Sequence, residues 1–226
     1  MGKRIIVIIT LALFVFISLP LVLDFIPTQE LSYVSQKYVK DGPEEVGAQN
    51  LVTAIIVTYR GFDTLGEVAV LFIATAGIGF ILSREKWRKR KQRCSSSILQ
   101  TGTRVLLPLI IMFGIYIFIN GHLTPGGGFQ GGVIIASGIL VYILATPKNK
   151  LIDFLISLTE SISGFGYVLL GVLGLILAAG FLDNSILPLG KFGRLFSAGA
   201  IPLIYSLIGL KVGSELVNIL KYLRRD

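Results

Sequence analysis

Long apolar runs separated by short polar tracts set the pattern of this chain. Crossing a hydrocarbon core of roughly 30 Å takes about 20 residues of helix. Six windows approach that length: 5–23, 62–82, 98–119, 129–145, 162–182 and 196–216. Each is continuously apolar rather than alternating, which predicts helices and not barrel strands. A helix also satisfies its own backbone where no water can. The pattern therefore predicts an all-α integral membrane protein with six transmembrane helices, multi-pass in the cytoplasmic membrane. The first run follows Met-Gly-Lys-Arg and has no small-residue cleavage site behind it. It reads as a retained helix rather than a secretory signal.

The polar tracts divide these spans unevenly. The tract 83–97 separates a two-helix module, 1–82, from a four-helix module, 98–226, and itself reads as a basic cytoplasmic linker. No internal repeat relates the modules, which argues against a self-contained carrier built from inverted repeats. "DGPEEVGAQN" (41–50) reads as an external loop ending near a helix start. From Leu51 to Leu82 one straight helix would run about 48 Å, too long for a simple span, so a break near Gly61 or an amphipathic surface segment is expected.

Composition agrees with the pattern: 53% of the 226 residues are hydrophobic, 15% are charged, and mean hydropathy is +0.78. The net charge of +8 needs no nucleic-acid partner. With the N-terminus inside and six helices following, 15 of the 21 Lys and Arg fall on cytoplasmic pieces and 4 on the opposite side. That bias places both termini in the cytoplasm and lays the basic linker against an anionic leaflet. A single cysteine, Cys94, allows no internal disulfide and no Cys-rich metal site. No metal and no cofactor is expected in the chain. No nucleophile with a paired base and no cofactor motif is present either, so it reads as non-catalytic.

Three sets of polar residues remain as candidates for chemistry. "YRGFDTLGE" spaces Arg60, Asp63 and Glu67 by three and four, so the side chains share a helix face and can pair, with Arg60 as ion-pair partner. Glu67 falls inside the second span, and an ionisable group at membrane depth is a functional hypothesis by default. The other reading is an interfacial anchor. Lys211 and Glu215 form a second i, i+4 pair inside the sixth span. A relay role and a lysine stem snorkelling to the cytoplasmic side are both open. Glu160, at the start of the fifth span, reads as interfacial. Pro202 predicts a kink in the sixth span, and Gly209 with Gly213 reads as a close-packing pair.

The third set is "NGHLTPGGGFQGG" (120–132), which holds the chain's only histidine. Only thirteen apolar positions, 133–145, follow the loop. They give about 20 Å of helix, too short to cross. The glycines must therefore enter the membrane, as the first turns of the fourth helix or as irregular backbone buried in protein. Either way a close neighbour has to cover them, which argues for a partner and against a solitary transporter. The loop lacks the G-K-[ST] of a phosphate cradle. His122 reads as a hydrogen-bonding cap or as a proton relay at the outer mouth.

These residues carry a resemblance. "GHLTPGGGFQGGVIIASGIL" resembles the signature of the B-type component of Mrp-type multisubunit sodium/proton antiporters, and the likeness extends over 98–226. "VTAIIVTYRGFDTLGEVAVLFIATAGI" (52–78) resembles the C-terminal extension of the A-type component of the same antiporters. The many-helix body of the A-type component is missing. That split looks like the arrangement in archaeal membrane-bound hydrogenases and sulfane reductase complexes. The resemblance implies a non-catalytic subunit of a complex that couples sodium and proton movement to electron transfer. Its partners would be other membrane subunits and peripheral redox subunits, with iron–sulfur clusters only in those partners. Membership of a stand-alone antiporter and a purely structural scaffold are the alternatives. By motif, Asp63 and Glu67 carry over as the acidic positions. His122 with Pro125, Gly126, Gly127, Gly128, Phe129, Gly131 and Gly132 carries over as the signature loop.

Overall fold

The computed structural model describes residues 2–23, 30–84, 95–146 and 150–223. The core of the basic linker, 85–94 with Cys94, lies outside the described residues. The described chain forms two compact units, 1–36 and 37–226. The first contains α1 (Gly2–Leu23), an apolar helix long enough to span a membrane. α2 (Tyr33–Lys40) straddles the boundary.

In the second unit, the 41–50 tract is not all loop. It holds α3 (Gly42–Val46), which Gly47 ends in the left-handed conformation at φ 72°. Asn50 then caps α4 (Leu51–Thr53) by accepting from the Val52 amide. α4 runs into a π-helical stretch, Ala54–Tyr59, which stops at Arg60 (φ −122°, ψ 36°). This is the expected break: the Arg60 amide bonds the Ile55 carbonyl at 2.8 Å, and Thr64 Oγ1 donates to the Ile56 carbonyl at 2.6 Å. α5 (Gly61–Arg84) follows, then α6 (Ser97–Ile119), α7 (Gly128–Ala145), α8 (Lys150–Leu177), a short 3-10 turn at Asn184–Ile186, and α9 (Ile201–Leu223). Six described helices, α1 and α5 to α9, have the length and hydropathy to cross a membrane.

Two span boundaries differ from expectation. The fifth span is Ile152–Leu177, not 162–182. The polar run Thr159 to Ser163, which suggests an interface, lies inside α8, with Ser163 buried. The sixth begins at Ile201, not 196, because 196–200 are turns with Ala198 and Gly199 at positive φ. Pro202 is consequently the second residue of α9. There its missing amide hydrogen has no intrahelical partner to lose, so it starts the helix rather than kinking it.

α9 is the central helix, packed against α5, α6, α7 and α8. Its contact with α7 brings backbone against backbone. A Cβ on Gly128 would lie 2.9 Å from the Tyr205 carbonyl, and one on Gly132 would lie 2.7 Å from the Gly209 carbonyl. α6 meets α7 in the same way, a Cβ on Gly131 falling 2.6 Å from the Gly114 carbonyl. The glycines thus form the opening turns of α7, the first of the two arrangements the sequence allows. Their cover comes from this chain's own α6 and α9, so the glycines themselves demand no partner subunit.

A clamp of hydrogen bonds closes the loop end of this packing. The Asn50 amide group donates to the carbonyls of Gly121 (2.8 Å) and Thr124 (3.0 Å). Thr53 Oγ1 donates to Gly121 O at 2.6 Å and accepts from the Tyr205 hydroxyl at 3.1 Å. The Tyr205 ring lies so close to Gly121 that a Cβ there would stand 2.6 Å from it. His122 is fully buried; its carbonyl accepts from the Asn50 amide at 3.0 Å, and its Nε2–H donates to the Arg194 carbonyl at 3.3 Å. Burial pushes the His122 imidazole below its ordinary pKa, more than its backbone hydrogen bonds pull it up.

Two outcomes follow for the purified protein. Gly132→Val should overpack the α7–α9 contact and lower stability by about 1–3 kcal/mol, read as a lower melting temperature. Gly66→Ala, whose added carbon meets nothing within 4 Å, should not lower it and should raise it slightly, since alanine favours the helix by up to about 1 kcal/mol. For His122, the folded state holds the proton less readily than the unfolded chain. Its stabilisation is complete above about pH 6.5 and is lost as pH falls from there through the lower folded value. The melting temperature should drop between about pH 7 and about pH 5, and His122→Asn should shrink that drop; equal slopes in both proteins would exclude the imidazole as the sensitive group.

Candidate functional site

The chemistry concentrates where α5, α8 and α9 meet. Lys211 is the eleventh residue of α9, about 15 Å along it, and is 8% exposed. Its Nζ lies 2.5 Å from Glu215 Oε1 and 3.4 Å from Glu160 Oε1. The stem does not run out to the surface: a Cβ built on Gly164 would touch Lys211 Cε at 3.5 Å, and the ammonium sits 4.8 Å from the centre of the Phe72 ring. α8 can come this close to the lysine because Gly164 has no side chain. The lysine is held in a buried pair with Glu215 rather than extended along the surface of the chain.

Glu160 does not stand at the start of the fifth apolar helix. It lies within α8, eight residues beyond Ile152, about 12 Å along the span. Its second oxygen accepts from Asn218 Nδ2 at 2.6 Å. Glu215 is 1% exposed. Thr75 lies beside it, but the Thr75 hydroxyl gives its proton to the Leu71 carbonyl at 2.9 Å, which leaves Glu215 Oε2 without a donor among the described residues. Two carboxylates therefore share one ammonium. With all three ionised the group carries one net negative charge away from water, a state that one further cation would neutralise. The helical spacing Glu160, Gly164, Tyr167 against a lysine across the interface is the signal that would have found Glu160.

Asp63 and Glu67 stand apart from this group. Arg60 Nε pairs with Asp63 Oδ2 at 2.5 Å, both largely exposed. Glu67 takes no part in that pair, and among the described residues it forms no ion pair. It is exposed on α5, beside the buried stripe of Thr64, Val68 and Thr75. Tyr167 lies within electrostatic reach of it. His122 is held in the loop clamp and touches none of these groups. In the signature loop, Gly127 adopts φ 156° with the Tyr205 ring against it, Phe129 packs on the central core, and Pro125 is exposed. Asn50 and Thr53, which hold that loop, carry no sequence signal beyond the capping position of Asn50. Among the described residues no three His, Cys, Asp or Glu side chains come together in a metal-binding group.

Comparison with known proteins accounts for both segments. Residues 98–218 match the MnhB family, described as a domain related to the MnhB subunit of Na+/H+ antiporters, and residues 4–98 match the MbhE family of MBH components. The MnhB-type component of the Na+/H+ antiporter of Bacillus subtilis is 35% identical over 98 residues, covering 42% of this chain and 68% of its own. An uncharacterised protein of Methanocaldococcus jannaschii is 29% identical over 191 residues, 72% of each chain. A chain of the membrane-bound sulfane sulfur reductase, an archaeal respiratory membrane complex, superposes with a TM-score of 0.80 at 39% identity, over 99% of this chain and 98% of that one. A chain of the Mrp complex from Dietzia sp. shares the fold, with a TM-score of 0.77 at 24% identity over all of this chain and 27% of that one. The chain is a multi-pass membrane protein that carries an MbhE domain in its N-terminal segment and belongs to the family of domains related to the MnhB subunit of Na+/H+ antiporters.

Proposed function

We propose that this chain is a non-catalytic membrane subunit of a respiratory complex of the hydrogenase or sulfane sulfur reductase type. Its Lys211, Glu215 and Glu160 lie on the route that couples sodium and proton movement to electron transfer elsewhere in the complex. Both termini face the cytoplasm, as the distribution of Lys and Arg supports. Iron–sulfur clusters and the redox chemistry belong to partner subunits.

The observation that carries this reading is the buried Lys211–Glu215 contact with Glu160 as a second acid. A pair kept only for packing would be better replaced by apolar residues of the same volume. A lysine between two carboxylates has instead two alternative partners and room for one more positive charge. A proton or sodium ion reaching the group neutralises it and lets the ammonium shift from one acid to the other. The respiratory setting is supported by end-to-end likeness to the sulfane sulfur reductase chain, 98% of which is covered, against 27% of the Mrp chain.

The test uses the whole complex in sealed vesicles. Glu215→Gln keeps the volume and removes the charge, and should lower sodium-dependent proton movement about tenfold or more while the complex still assembles. Lys211→Met leaves the buried Glu215 and the half-buried Glu160 without their cation and should also destabilise the protein, by about 3–5 kcal/mol. Unchanged transport in Glu215→Gln would make the chain a scaffold.

A further inference from the structure

The α5–α8–α9 seam encloses a tyrosine. Tyr167 is 1% exposed, and its hydroxyl has no hydrogen-bond partner among the described residues. A phenol buried in this way is unfavourable and calls for a reason.

Its place in the fold supplies one. On α8, Glu160, Gly164 and Tyr167 fall at i, i+4 and i+7, a single stripe on one face. The first pairs with Lys211 and Asn218. The second lies against the lysine's stem. Tyr167 stands one turn further, toward the clamped loops. On α5, Glu67 precedes Phe72 and Thr75, the two residues that flank Lys211 and Glu215, and Glu67 is the acid within electrostatic reach of Tyr167. Ordered along the seam, the polar groups are Glu67, Tyr167, Lys211, Glu215 with Glu160, and Asn218. Glu67 is open to the outside of this chain, Tyr167, Lys211 and Glu215 are buried, and Glu160 and Asn218 are half-buried. On the same two helices, Val68 belongs to the apolar core, and Leu71 and Leu170 pack against it.

We propose that the Tyr167 hydroxyl is the relay that joins Glu67 to the Lys211 cluster, with ordered water completing the hydrogen bonds on either side. This rests on the reading of that cluster as an ion route. A proton on the Glu67 carboxyl passes toward the phenol oxygen as the phenol's own proton leaves toward the cluster, where a carboxylate accepts it. Glu67 returns to its carboxylate form, Tyr167 is unchanged, and the cluster goes from one net negative charge to neutral. Two bonds to hydrogen form for every two that break. A buried hydroxyl lacking a protein partner suits this role, since a permanent partner would hold its proton.

The experiment compares Tyr167→Phe with Glu215→Gln in the whole complex, measuring proton movement in sealed vesicles, melting temperature and subunit content. Removing a hydroxyl that bonds no protein group should leave assembly and melting temperature unchanged, while proton movement falls about tenfold. Tyr167→Phe with normal transport beside a defective Glu215→Gln would overturn the relay and leave the cluster's role intact. Normal transport in both variants would overturn both. Loss of subunits or of melting temperature in Tyr167→Phe would make the hydroxyl a structural group and likewise overturn the relay.

Discussion

The structure depends on how closely α7 and α9 approach. Glycines at 128 and 132 face Ile208, Gly209 and Val212, so backbone meets backbone where side chains would otherwise hold the helices apart. In lipid, where burial of apolar surface gives no net drive, such close packing is the main attraction between helices. Its result is that α9 becomes the centre of the second unit, with 56% of its most apolar stretch buried inside the chain, against 11% for α5. A lysine and a glutamate on a lipid-facing helix would each cost about 2.5–3.5 kcal/mol or more. On α9 they are tolerated because three helices enclose them and supply a second acid, an amide and an aromatic face.

The site draws on both family segments. Lys211, Glu215 and Glu160 come from the MnhB-related domain, while Phe72 and Thr75 come from the segment that matches MbhE. The loop clamp repeats this exchange at the other end of the helices, with Asn50 and Thr53 of the first segment holding Gly121 and Thr124 of the second. Residues 37–226 accordingly form one compact unit despite their two family origins. Joining the two segments in one polypeptide keeps a composite site in register, since neither segment alone encloses the charged group.

Much of this is legible from hydropathy, because a helix crossing lipid has to be apolar over its length. The break near Gly61 follows from length alone. The misplaced boundaries share one cause, which is that polarity along a chain looks like exposure. Thr159 to Ser163 resembles an interface because the lysine that belongs with Glu160 lies 51 residues later in the chain, and nothing local announces that pairing. Pro202 suggests a kink because the preceding turn, with Ala198 at positive φ, has no strong sequence marker. The need of the glycines for cover can be read from their spacing, yet whether the cover is internal depends on which helices are neighbours, a property of topology. Tyr167 is invisible in the sequence for a similar reason, since a tyrosine in an apolar run is ordinary until its hydroxyl is found to lack a partner.

The central claim is that the carboxylates around Lys211 take up and release a cation as the complex turns over. Infrared difference spectroscopy of the whole complex reads that directly, comparing resting and turning-over states in the native protein and in Glu215→Gln. The account predicts a carboxyl stretching band that changes on turnover, shifts in deuterium oxide, responds to sodium, and is absent from the variant. A turnover spectrum identical in the two proteins would contradict it.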